Sequence, residues 1–83
     1  MFAIDLFTVD GRVEERQVGS LPSQEDLLSF FFTEDGKICH EYESVHLAEL
    51  DENGRIVEYI ASAERWPDLQ VTVEERYLEL AGL

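Results

Sequence analysis

Residues 45–66 read VHLAELDENGRIVEYIASAERW, two apolar-rich segments separated by Asp51-Glu52-Asn53-Gly54. Asp at the first turn position bonds nearby backbone, Asn tolerates a left-handed conformation, and Gly at the fourth position takes positive φ without penalty. The loop Glu52-Asn53-Gly54 therefore predicts a type I turn closed by a glycine bulge. That register sets Asp51 opposite Arg55, Leu47 opposite Tyr59 and Val45 opposite Ala61. It gathers Val45, Leu47, Val57, Tyr59, Ala61 and Ala63 on one core face. A two-residue Asn-Gly loop would instead put Glu49 against Glu58, and like charges directly opposite destabilise a strand pair. The bulged register is the expectation.

Upstream, Phe2, Ile4, Leu6 and Thr8 alternate on one side of a half-buried strand. Asp10-Gly11 is a two-residue hairpin signal. It leads into a charged return strand, Arg12 to Val18, suited to a sheet edge, and pairs Asp5 with Arg16. After the loop Gly19-Ser20-Leu21-Pro22, Ser23 is a helix N-cap followed by acids that suit the helix dipole. Leu27, Leu28, Phe30 and Phe31 form a helical stripe with Gly36 just past its end. The rival reading is a strand through Phe30-Phe31-Phe32 that turns at Asp35-Gly36. Helix is preferred, with one of the three Phe left exposed or covered by a partner.

Lys37 to Ser44 alternates again, with Ile38, His40 and Tyr42 on one face and Cys39, Glu41 and Glu43 on the other. It runs into the Val45 segment through a bulge near Ser44, where the apolar parity switches. Glu41 and Glu43 then form a short acidic row with Glu49 nearby. Beyond Trp66-Pro67-Asp68, Thr72-Val73-Glu74-Glu75 matches a capping box. It starts a helix with Val73, Tyr77 and Leu80 inward and Gly82 at its end; Leu69-Gln70-Val71 reads as a short strand. Gly11-Arg12-Val13 and Gly54-Arg55-Ile56 each open a return strand before a helix, an echo of two ββα halves. The expected fold is a single small α+β domain over residues 1–83. It has an antiparallel sheet of about four strands built from hairpins, with two helices on one face, in the order ββαββα.

The chain has 83 residues, 45% of them hydrophobic, with five Phe, three Tyr and one Trp, enough for one thin core. No apolar run approaches the ~20 residues of a membrane span. Met1-Phe2-Ala3-Ile4-Asp5 lacks the basic flank of a secretory signal, and a lone Cys39 fits a reducing compartment. A cytoplasmic protein is expected. Nineteen acids against six Lys or Arg give a net charge of −13. Such a charge repels nucleic acid and anionic membrane and favours basic partners.

Tests for chemistry mostly exclude it. His40 and His46 lie six residues apart, about 20 Å along a straight strand, too far to share a zinc ion, and compact ligand pairs are lacking. Cys39 and His40 are strand neighbours that point to opposite faces, so they form no nucleophile–base pair. Asp51-Glu52-Asn53-Gly54 lacks the alternating acids and distal Glu of a calcium loop, and there is no Gly-rich phosphate loop. Six scattered cations make no basic stripe for nucleic acid. The expectation is a protein that is not an enzyme and needs no metal or cofactor.

The leading functional expectation is an acidic inhibitor or binding protein, monomeric or homodimeric. It would block a basic, nucleic-acid-handling surface of a partner, as phage-type inhibitors such as anti-CRISPR proteins and DNA mimics, or toxin-immunity proteins, do. Candidate partner-binding residues are Glu41, Glu43, Glu49, Glu52 and Glu58, with Glu14 and Glu15 on the first hairpin and Tyr42, Phe32 and Trp66 as anchors. The alternative is a small accessory or structural subunit that docks or self-associates through an apolar patch, its charge serving solubility.

Overall fold

The computed structural model describes residues 1–82. Its centre is β3 (Tyr42–Leu50), flanked by β1 (Phe2–Thr8) and β4 (Ile56–Glu64). β2 (Val13–Val18) and β5 (Gln70–Val73) close the edges, giving one antiparallel five-stranded sheet in the order β2-β1-β3-β4-β5. Two short helices, α1 (Gln24–Ser29) and α2 (Glu75–Ala81), complete the chain. The α+β class holds, with five strands where about four were expected. The fifth is β5, where Leu69-Gln70-Val71 predicts a short strand; β-branched Val71-Thr72-Val73 favours extended backbone over helix and carries it on to Val73. Thr72 is thus a strand residue, and α2 begins after Glu74 with no side-chain cap.

Both helices pack on one face of the sheet. Leu27 and Phe31 from the α1 region and Tyr77 from α2 meet Phe2, Ile4, Leu6, Val45, Leu47 and Ile60 in one buried cluster. Ser23 caps α1 as expected: its Oγ accepts from the Asp26 N–H while its own N–H donates to Asp26, both at 3.0 Å. The Tyr77 hydroxyl donates to the Pro22 carbonyl at 2.8 Å, tying α2 to the approach of α1. Gly82 ends α2 in a left-handed conformation, as its position predicted.

One turn design occurs three times. In Thr8–Arg12, Thr33–Lys37 and Asp51–Arg55 the first N–H donates to the fifth carbonyl, and the glycine N–H donates back to the first carbonyl. A side-chain oxygen of the first residue accepts from the fifth N–H in each. The Asp51 turn is the one expected. The other two correct the sequence reading. The first hairpin loop is Val9-Asp10-Gly11, one residue longer than an Asp-Gly loop, so Asp5 faces Glu15 and not Arg16. Gly36 belongs to a tight turn bridging Phe32 to Ile38, and α1 stops at Ser29.

β4 carries the largest departure. Val57 and Ile60 are each extra residues against β3, so Glu49 faces Glu58, Ala48 faces Tyr59 and Leu47 faces Ala61. The bulges turn Val57 and Tyr59 outward and bury Ile60, which reverses the expected core roles of the first two. They also create the Glu49–Glu58 opposition expected only of a two-residue Asn-Gly loop. Arg76 of α2 makes it tolerable: its guanidinium donates to both Glu49 oxygens at 3.0 Å. The bulge expected near Ser44 is present at Glu43.

Two results would check this account by urea denaturation. Phe31→Ala should cost about 3–5 kcal/mol by emptying a fully buried ring site. Gly54 has a φ of +79° and open space where a Cβ would stand, so Gly54→Ala should cost about 1–2 kcal/mol from backbone conformation alone.

Candidate functional site

Alternation decides what the helix-free face of the sheet carries. Phe2, Ile4 and Leu6 point to the helices, so Ala3, Asp5 and Phe7 point away. Register then aligns one polar residue from every strand: Glu15 on β2, Asp5 on β1, His46 on β3, Ser62 on β4 and Thr72 on β5. The row beside it holds Gln17, Ala3, Ala48 and Tyr59. Ala3, Ala48 and Leu50 form a small buried cluster of their own on this side.

Asp5 is the unusual member. It is only 6% exposed, although neither α1 nor α2 packs on this face. The Tyr59 hydroxyl donates to its Oδ2 at 2.7 Å. Its Oδ1 is buried with no donor among the described residues, a condition that buried polar groups seldom show. His46 stands edge-on to the rings of Phe7 (4.9 Å) and Tyr59 (6.2 Å), and its Nε2 lies 3.2 Å from Ser44 Oγ. Neither Asp5 nor Glu15 has an ion-pair partner among the described residues. Their charges act on Tyr59: its bond to Asp5, then desolvation, then the Asp5 and Glu15 charges push the phenol pKa up. A shallow cavity of about 210 Å³ opens beside Tyr59, lined by His46, Tyr59, Ala61, Ser62, Thr72 and Glu74.

The expected partner-binding residues are scattered. Glu41, Glu43, Glu52 and Glu58 are exposed, but Glu52 is at the Asp51 turn and Glu41 precedes β3. The row of Glu41, Glu43 and Glu49 does not form. Glu43 and Glu49 lie at opposite ends of β3, about 20 Å apart at strand rise, and Glu49 is engaged by Arg76. Tyr42 is no anchor: it is 7% exposed, inside the core, with its hydroxyl donating to Glu14 at 3.2 Å. Phe32 is 38% and Trp66 is 81% exposed. Trp66 shares a surface depression with Glu43, Ser44 and Glu64 at one end of the helix-free face. Glu64 was not among the candidates, nor were Asp5, His46 and Tyr59.

Cys39 is free, and its carbonyl accepts from Arg65, whose guanidinium also lies 3.1 Å from His40 Nδ1. No group of three or more His, Cys, Asp or Glu among the described residues is arranged to hold a metal ion. No helix among them is long and apolar enough to cross a membrane. No family model, curated protein or solved structure matches the chain.

Two expectations follow. Burial raises Tyr42 and Tyr77 above the usual 10.0, and the Asp5 bond raises Tyr59. A raised folded pKa stabilises below the unfolded value and is lost as pH climbs through the folded one. Absorbance titration should therefore find little phenolate at pH 10 in the folded protein, with its release coupled to alkaline unfolding. Conversely, Arg76 holds the Glu49 carboxyl below its usual 4.5. That contribution is present above 4.5 and lost as pH falls through the lower folded value. Arg76→Met should lower the urea midpoint at pH 7, and the difference from wild type should shrink in acid.

Proposed function

We propose that this protein is a non-enzymatic acidic binding module that occupies a basic, nucleic-acid-handling surface of a partner protein. The observation that carries the reading is Trp66, 81% exposed and set beside Glu43 and Glu64 at the rim of a sheet face no helix covers. Large exposed aromatics anchor interfaces, and carboxylates around one favour Arg and Lys on the opposing surface. The charge balance supports the same partner chemistry. Of nineteen acids, Asp10, Asp35, Glu49 and Glu79 have ion-pair partners among the described residues. The field of the others steers a positive surface toward the molecule.

One observation favours a second reading, an accessory subunit that docks through apolar contact. Ile56, Val57 and Tyr59 are each 45% exposed or more, and they lie where β5 does not reach along β4. The two readings differ in salt response. Raising salt from ~0.1 M to ~1 M shortens the Debye length from about 10 Å to about 3 Å. A charge-guided complex should be released, and an apolar one should persist. Affinity capture from a host lysate, with bound proteins identified by mass spectrometry, should yield a basic nucleic-acid-handling protein that elutes with salt. Trp66→Ala and the pair Glu43→Lys with Glu64→Lys should each abolish that capture. Retention by both variants would overturn the assignment of this surface.

A further inference from the structure

The unpaired oxygen of Asp5 extends this reading from a rim to a pocket. A carboxyl group buried on an open sheet face, with one oxygen lacking a donor, is an incomplete acceptor. A group that brings N–H donors and positive charge would both complete it and offset the adjacent acid on β2, Glu15. We propose that the helix-free face is a socket for one arginine side chain of the basic partner, with Asp5 as the acceptor at its base. The inference rests on the proposed function for the existence of such a partner, and on the local geometry for the arginine.

Four features select arginine. A cavity of about 210 Å³ is below the ~300 Å³ at which small-molecule sites begin, and suits a single side chain. It is lined by His46, Tyr59, Ser62, Thr72 and Glu74, with no Lys or Arg. Of the lining residues, His46 and Tyr59 supply aromatic surface on which a planar guanidinium stacks and a compact ammonium gains less. Lastly, the two Asp5 oxygens match the two-pronged donor geometry of arginine. Only the Tyr59 phenol occupies one of them, and Tyr59 is 47% exposed on the stretch of β4 that β5 leaves free. Asp5 itself does not line the cavity; Tyr59, which lines it and bonds to Asp5, is the side chain whose rotation would join the two. The entering guanidinium replaces the phenol at Oδ2 and supplies the missing donor at Oδ1.

The test uses the full chain and two small probes, N-acetyl-arginine amide and N-acetyl-lysine amide, at constant ionic strength. Backbone amide shifts are followed by two-dimensional NMR. The arginine probe should give saturable shifts centred on Asp5, His46, Tyr59, Ser62 and Thr72, and the lysine probe should bind at least about tenfold more weakly. Asp5→Asn should lower arginine affinity by about tenfold or more. Tyr59→Phe removes the competing donor and should raise that affinity, which a purely structural Asp5–Tyr59 bond would not do. Equal response to both probes, shifts elsewhere, or an Asp5→Asn variant that binds like wild type would each overturn the socket. Salt-sensitive capture of a basic protein that survives Asp5→Asn would sink the socket alone. Arginine binding without any basic partner in the lysate would sink the proposed function alone.

Discussion

Two helices of six and seven residues cover only one face of a five-stranded sheet. Everything else in the molecule follows from that limit. The helix side takes the large apolar groups, Phe31, Leu6, Leu27, Leu47 and Ile60, each essentially inaccessible to water. The other side has no layer to bury against, so its centre is made of the Ala3–Ala48 pair and polar residues that settle among themselves. Ala3 and Ala48 are small enough for neighbouring Tyr59 to close over that face. Asp5 is buried by the same closure.

How much of this was legible in the sequence depended on how local each cause is. The Asp51 turn, the Ser23 cap and the Gly82 stop are settled by a few adjacent residues, and each was readable. The charged edge strand β2 was readable for the same reason. Thr8 and Thr33 were harder because threonine serves there as Asp51 does, holding a three-residue loop with its side-chain oxygen. An Asp-Gly pair alone points to the shorter loop. Missing that residue moved Asp5 from an imagined salt bridge with Arg16 to its place beside Glu15.

The bulges at Val57 and Ile60 were not legible at all. Nothing in IVEYIASA distinguishes a regular strand from one with two extra residues. Their cause is tertiary: Ile60 fills the core, and Arg76 from a helix two elements later neutralises Glu49 against Glu58. Since the candidate site depends on the Tyr59 hydroxyl reaching Asp5, the site was hidden with the register. Asp5 itself carried a faint signal, an acid in the outward row of a strand whose neighbours are Ala3 and Phe7. Trp66 and Phe32, both expected at the surface, are exposed.

The same two bulges have a consequence for how the molecule lives at high concentration. Residues 56–63 hold six apolar residues, one serine and a single charge, a composition suited to cross-β stacking when straight and free. In the folded chain the outer edge of Ile56–Tyr59 is open, but it is kinked at Val57 and Ile60, and a kinked edge cannot template a second copy along its length. The mutual repulsion of molecules carrying −13 works in the same direction. The native register thus holds this stretch out of the straight form that cross-β stacking requires.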